Sequence, residues 1–494
     1  MSRNDYISTN GSLNLDTIFN NIDNNTSGLA TMVTKGELFI NVTDYGAKGD
    51  GITDDTLAIE TALNFASGKG IVLFPKSTSF YPINKLISIP SNTHMVINGD
   101  IKMAITDNCF LLDNVSDVTI EGDGSIQNGG IYTNVTSNIL IKDLKFLNCH
   151  LWAVNVTQSS NVLLDNLKIT NCGSSCEFAM QSTNCWARNL VIENSADELF
   201  AFYGGVTDSG IVNSVLDGST SGSGISVLND SGQPQPCDNI LIQGNICKNN
   251  HLAGVEVATG TGGVGKHNNI IICNNYLHHN HKYSAPMYTG GVGLSNVDNV
   301  SVHDNIIHDD GNESMASGIC VEGTCKHISI DNNIIYNEGD NDTNSVGMGV
   351  FSEECEDVTF TNNKVYDSAT VKTMTSALTL YPNKRCVVKN NNFNSTFFGN
   401  KIKYDTIGED NIWKDNIGLN PKGALTSPTI PATNVPLINP FPYQVKIYIY
   451  GGTISNIVLN NLSIPLTSGL FILEPKESIM LSYSVIPSWA WIGN

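Results

Sequence analysis

The sequence predicts an all-β protein built on a parallel β-helix, and three observations carry that expectation. From about residue 131 the chain repeats itself every ~22–37 residues, a solenoid period. Each repeat holds short segments in which apolar and polar residues alternate, too short for helices and too regular for loops. Asn returns at one fixed offset, as Asn275, Asn305, Asn333 and Asn363, which places it in a ladder at a turn inside stacked coils.

Two strand families make up the repeat. One begins at 138–141 (Asn-Ile-Leu-Ile) and returns at 161–164, 239–242, 269–272, 299–302, 327–330 and 357–360. The other, usually led by Gly, centres on 178–180, 200–202, 225–227, 255–257, 292–294, 319–321, 348–350 and 378–380. Stacked in parallel one period apart, each coil buries the apolar face of the last, with two or three strands per coil. An α-solenoid is excluded because no repeat holds two amphipathic helical windows. A propeller blade needs about 40–45 residues and four strands, more than this unit offers.

Composition narrows the function classes. The chain has 494 residues, room for about three domains or for one large repeat domain with appendages. It carries 26 basic and 47 acidic residues, a formal charge of -21. That balance argues against nucleic acid or an anionic membrane as partner, since both require clustered Lys and Arg. No apolar run reaches the ~18 residues of a membrane span. The first residues, Met1 to Tyr6, lack a basic-then-apolar signal region, so synthesis in a reducing compartment is expected. The 12 Cys show neither CxxC nor zinc-type spacing and read as small buried hydrophobes. No cofactor or metal is expected, and the acidic turn Asp309–Asp310 reads as solvated rather than as a Ca²⁺ site.

The most specific motif is the entry to the repeat, residues 41–62, NVTDYGAKGDGITDDTLAIETA. Gly46, Gly49 and Gly51 permit a tight turn with positive φ. Asp54 and Asp55 suit the start of a helix over about 55–66, with Leu57, Ile59, Ala62, Leu63 and Phe65 on its apolar side. Such a helix would cap the open end of the coil, where core and strand edges are otherwise exposed. This stretch resembles the opening of the pectate-lyase-like superfamily, found in phage tailspikes and depolymerases and in pectinases. The resemblance spans roughly residues 38–400 and implies a right-handed parallel β-helix. It leaves the reaction open, because the fold hosts lyases, hydrolases, epimerases and inert adhesins.

Four regions follow. Residues 1–36 are polar and Asn-rich, an attachment segment to a phage tail or baseplate in the reading the resemblance implies. Residues 37–418 form the β-helix. Residues 419–443, holding Pro421, Pro428, Pro431, Pro436, Pro440 and Pro442, read as an extended linker because Pro cannot sit inside a paired sheet. Residues 444–494 read as a small β-sandwich-like domain, whose exposed strands and Trp489 and Trp491 suggest trimer contacts, sugar stacking or core packing.

Chemistry is expected on the outward residues of the Gly-led strands. One outward column reads Ala179, Ala201, Ser226, Glu256, Gly293, Cys320, Gly349, Thr379; the next reads Gln181, Tyr203, Leu228, Ala258, Ser295, Glu322, Phe351, Tyr381. Small residues leave a trough, Glu256 and Glu322 are its only acids, and rings line one wall. Stacking at about 4.8 Å per coil and 3.3 Å per residue puts the two Glu Cα atoms about 12 Å apart. Side chains leaning together approach the roughly 6.5–9.5 Å carboxyl separation of inverting glycoside hydrolysis. Asp197 and Glu198, entering the next coil beside Tyr203, are further catalytic candidates; Asp230, Glu353 and Glu354 are weaker ones. Tyr203, Ser226, Ser295, Phe351 and Tyr381 are the expected sugar contacts. For a lyase, which needs a base, the address is the turn holding His278, His279, His281 and Tyr283.

The sequence thus points to a homotrimeric tailspike or depolymerase of a phage virion, binding and cleaving a bacterial polysaccharide. The alternatives are a non-enzymatic receptor-binding or structural fibre, and a stand-alone lyase, epimerase or glycosyl transferase exported by a non-classical route.

Overall fold

Period-two alternation with one apolar face requires a partner layer, and the chain supplies it by coiling on itself. The computed structural model describes residues 38–493, except positions 67, 69, 282–289, 312–315, 340–344, 353, 382, 398–401, 405–409, 419–422 and 442. Three parallel sheets of 15, 13 and 12 strands run the length of the coil. One turn visits the first sheet at Ser137–Lys142, the third at Lys145–Leu147 and the second at Trp152–Thr157, then returns to the first at Ser160–Asp165. The winding is right-handed, as parallel crossovers require. The strand family at 138–141 lies in the first sheet and the Gly-led family in the second.

The corners explain the abundance of Asn. Asn166, Asn189, Asn213, Asn274, Asn332 and Asn362 all hold positive φ at the sharp bend between the first and third sheets. A side chain that bonds to its own backbone makes that region tolerable to Asn and Asp. A second set of Asn points inward. Asn275 donates its backbone N–H to Asn305 Oδ1 (2.9 Å), Asn305 to Asn333 (3.0 Å) and Asn333 to Asn363 (2.9 Å). Each amide also satisfies a buried carbonyl of an earlier coil, as Asn305 Nδ2 does for Ile272 O (3.0 Å). Inside these ladders one continuous core of Ile, Val, Leu and Phe runs from Ile40 to Trp413, and all 12 Cys are buried and unpaired.

The helix at Thr56–Ala66 packs on the first coil. Its buried side is Thr56, Ile59, Ala62, Leu63 and Ala66; Leu57 and Phe65, expected on that side, are 74% and 56% exposed. The Asp-rich turn before it is held by local bonds. Asp55 accepts from the N–H groups of Lys48 (2.6 Å) and Gly49 (3.0 Å), and Asp54 from that of Thr56 (3.1 Å).

The C-terminal module departs from the expected division. Two four-stranded antiparallel sheets pack face to face around Val445, Ile447, Ile457, Leu473 and Trp491. The Pro-rich stretch is part of them: Gly423–Ala424 pairs with Ile492–Gly493, and Pro436–Ile438 pairs with Ser478–Met480. Pro436 is accommodated because its strand is an edge. Trp489 and Trp491 are 8% and 0% exposed, with the Trp489 indole N–H bonded to Pro428 O (2.8 Å), so they serve packing rather than contact with a partner or a sugar. The outward rings and aliphatic chains of this sheet are Tyr448, Tyr450, Leu470 and Ile472. The segment 1–36 lies outside the described residues.

Candidate functional site

Register decides which outward side chains meet, and in the second sheet it follows the expected columns with one shift. Ala201, Ser226, Glu256, Gly293, Cys320, Gly349 and Thr379 are successive partners. Tyr203, Leu228, Ala258, Ser295 and Glu322 form the neighbouring column. One coil earlier, however, Ala201 pairs with Glu177, while Ala179 pairs with Tyr203. Ala179 therefore belongs two residues along, in the second column, and Gln181 sits beyond the strand at a positive-φ corner. The shift brings a third carboxylate, Glu177, into line with Glu256.

The trough is also shorter than the residue sizes imply. Ser226 and Cys320 are fully buried and Thr379 nearly so. The Phe351 ring lies over Gly349, where an added Cβ would sit 2.4 Å from its carbons, and Tyr381 follows at a ring distance of 6.1 Å. The floor beyond Glu322 is thereby filled by Phe351. The more open part runs from Glu177 to Ala201, with Glu256 beyond the buried Ser226.

Acids surround that part. Trp152 donates its indole N–H to Glu177 Oε2 (2.8 Å), and Ser223 donates its hydroxyl to Glu256 Oε2 (2.8 Å). Asp197 and Glu198 lead into the Phe200–Tyr203 strand, where the backbone of Gly222 packs so closely that a Cβ there would lie 2.6 Å from Glu198 N. The Tyr203 hydroxyl interacts with the Asp230 carboxylate, which holds the Tyr203 proton on and lowers Asp230. Glu322 accepts from Ser295. Ser226 Oγ, at the centre, is buried with no hydrogen-bond partner among the described residues.

Burial, with repulsion between neighbours at some of them, raises Glu177, Glu198, Glu256 and Glu322. Burial first, then a hydrogen bond shared with Asp197 and the charges of Asp197 and Glu256, raises Glu198 to about 8. Burial, opposed by the Trp152 bond and reinforced by Asp197, raises Glu177 to about 7. Burial also raises Glu256 against the Ser223 bond, and burial with the Glu256 charge raises Glu322. Asp230 is lowered by the Tyr203 hydroxyl and by backbone N–H groups. Around neutral pH the surface thus holds Glu198, and in part Glu177, in the protonated form within electrostatic reach of other carboxyls, the condition for general acid–base work.

The remaining candidates lie elsewhere. His278 stacks on His308 at 5.2 Å in an outward column of the third sheet that continues through Tyr336 and Tyr366. His279 accompanies it, His281 is buried, and Tyr283 lies outside the described residues. This group is therefore no part of the second-sheet face. Asp310 is wholly buried, its carboxylate accepting from Asn280 N (2.7 Å) in a second internal ladder, so Asp309–Asp310 is not a solvated turn. Glu354 is exposed and Glu353 lies outside the described residues. Among the described residues, no three His, Cys, Asp or Glu side chains converge to hold a metal ion.

Comparison with known proteins agrees with this architecture. Residues 39–275 match the rhamnogalacturonase A/epimerase, pectate lyase-like family, and residues 205–393 match the right-handed β-helix region family. The A-module of mannuronan C-5 epimerase AlgE6 from Azotobacter vinelandii superposes with a TM-score of 0.58 at 18% identity, over 74% of this chain and 99% of that one. A tailspike protein of E. coli bacteriophage HK620 superposes with a TM-score of 0.58 at 11% identity, over 92% and 93%. Among curated relatives, the plasmin and fibronectin-binding protein A of Streptococcus pneumoniae is 42% identical over 62 residues, 12% of this chain and 8% of that protein. Mannuronan C5-epimerase AlgE2 of A. vinelandii is 41% identical over 66 residues, 12% of this chain. The matched stretches span under a tenth of those relatives.

Proposed function

We propose that this pectate-lyase-like β-helix protein binds a bacterial polysaccharide along its second sheet and cleaves it hydrolytically with the carboxyls gathered there. One observation carries the reading: Asp197 acts on both Glu177 and Glu198, and Glu256 on both Glu198 and Glu322, across a face otherwise made of small residues and rings. A sugar-cleaving site needs a protonated acid for the leaving oxygen and a second carboxylate to activate water or attack. Glu198, raised to about 8, is the proton donor in this reading. Glu256, within its electrostatic field and oriented by Ser223, is the base. Glu322 extends the acidic run by two coils, and Glu177 opens it. Trp152, Tyr203 and Leu228 offer faces for sugar rings.

The finer reading is a tailspike-type depolymerase. The likeness to a phage tailspike extends over nine-tenths of both chains, and a related tailspike structure holds a pentasaccharide. In this reading residues 1–36 attach to the tail and the protein is a parallel homotrimer. The outward Tyr448, Tyr450, Leu470 and Ile472 of the C-terminal module are an apolar patch suited to subunit contact. The deciding experiment incubates the purified protein with capsular and wall polysaccharides and follows reducing ends and the absorbance of unsaturated products. New reducing ends without that absorbance support hydrolysis; unsaturated products mean a lyase; binding without new ends means a receptor-binding fibre.

A further inference from the structure

We propose that the glycan accepted by the second-sheet face is an uncharged polysaccharide rather than a polyuronate or other acidic chain. The inference rests on the glycan-binding reading above and narrows it to a substrate class. The three sheets differ sharply in where they place cations. The first carries Lys142, Arg188, Lys326, Lys389 and Lys414, and the third Lys102, Lys145, Lys168, Lys248 and Lys364. In the second sheet no strand from Ile87–Ser88 to Ser376–Leu380 holds Lys or Arg, and Lys403 enters only in the last strand, in register with Thr379 and beyond the acidic stretch.

Among the described residues, two cations that border this face are committed elsewhere. Lys266 binds Asp298 and the Thr324 carbonyl, and Lys372 binds the Asp367 and Ala369 carbonyls. What faces the groove is Glu177, Asp197, Glu198, Glu256 and Glu322, beside Asp230. Recognition of a carboxylate or phosphate calls for Arg or Lys, commonly as a bidentate pair. A chain bearing one carboxylate per sugar would instead add like charges to a group of acids already raised by their neighbours.

The same asymmetry bears on reaction type. Elimination or epimerisation at a uronate removes a proton next to a carboxylate, and the negative charge that develops needs an electropositive neighbour. Hydrolysis of a neutral glycoside passes through a positively charged, oxocarbenium-like state, which carboxylates stabilise. This face is built for the second kind of charge.

The test presents the full chain to neutral and acidic bacterial polysaccharides in equal number, with polygalacturonate as a simple acidic probe. Binding is measured at low and high NaCl, and repeated with Ala201→Trp and with Ala258→Trp, each of which places an indole on the face. The expected ligands are neutral, bind with less than about a twofold change across the salt range, and lose at least ~10-fold in affinity in both Trp variants. An acidic ligand that is blocked by the Trp variants and weakened by reduction of its carboxyls overturns the inference while leaving the glycan face in place. No ligand in either class, or ligands indifferent to both Trp variants, removes the glycan face and the inference with it.

Discussion

Replacing Glu177 with Gln should stabilise the protein at neutral and alkaline pH and leave it unchanged in acid. Gln keeps the size of the side chain and an oxygen that can accept the Trp152 indole N–H, now at 2.8 Å from Glu177 Oε2. What it removes is the ionisation. Glu177 has a folded value of about 7 against an ordinary 4.5, raised mainly by burial. Between those values the folded chain holds a proton that the unfolded chain has released, so stability falls as pH rises from about 4.5 to about 7 and is level above. At 1.36 kcal/mol per unit, the full effect is about 3 kcal/mol, an upper figure for a partly exposed side chain. Guanidinium unfolding of parent and variant at pH 5, 7 and 9 measures it. The expected gain for Glu177→Gln is close to zero at pH 5 and about 1–3 kcal/mol at pH 7 and 9. A variant equally or less stable than the parent at pH 9 would refute the claim that this carboxylate is held at a cost in stability, a common property of functional sites.

Other expectations concern chemistry, pH, the internal ladder and assembly. Glu256→Gln or Glu198→Gln should lower glycan cleavage by at least about 10²-fold, the low end for losing a general acid or base, while leaving most of the affinity. If Asp197→Asn abolishes cleavage and both Glu variants cleave normally, the centre lies nearer Tyr203. With Glu198 as proton donor, cleavage in a pH–rate profile should decline above about 8, as its carboxyl ionises, and Glu198→Gln should erase that limb. Asn305→Leu strips the acceptor from Asn275 N–H and the donor from Ile272 O; at about 1–3 kcal/mol per orphaned group, denaturant unfolding should show a loss on the order of 3–5 kcal/mol. Leu470→Glu with Tyr448→Glu should convert the proposed trimer to monomer in light scattering, and a monomeric parent at micromolar concentration would count against the trimer.

The coil was legible because period-two segments and the Asn offset repeat many times, so local ambiguity averages out. The third sheet was not legible. Its strands, such as Lys145–Leu147 and Ile246–Lys248, are three residues long with a single inward side chain, too few for alternation to register. Glu177 was missed for a related reason. In the strand Ser174–Ala179 the residue before the inward pair is Ser175 rather than Gly, and that pair is Cys176 and Phe178 rather than Phe178 and Met180. Counting Cys as apolar at that position would have set the register. The linker misread came from treating Pro as incompatible with pairing, which holds for central strands but not for the edge strand Pro436–Ile438. Glu256, Glu322, Asp197 and Glu198 could be named from sequence, but their mutual influence depends on stacking order and burial.

The most direct test of the central claim is reducing-end release from a polysaccharide the protein binds, measured for the parent beside Glu256→Gln, Glu198→Gln and Asp197→Asn under identical conditions. The expected result is release by the parent without unsaturated products, and at least a ~10²-fold loss in Glu256→Gln and Glu198→Gln with binding retained. Equal inertness of the parent and all three variants on a glycan that each of them binds would contradict it, and would leave a receptor-binding fibre on the same scaffold.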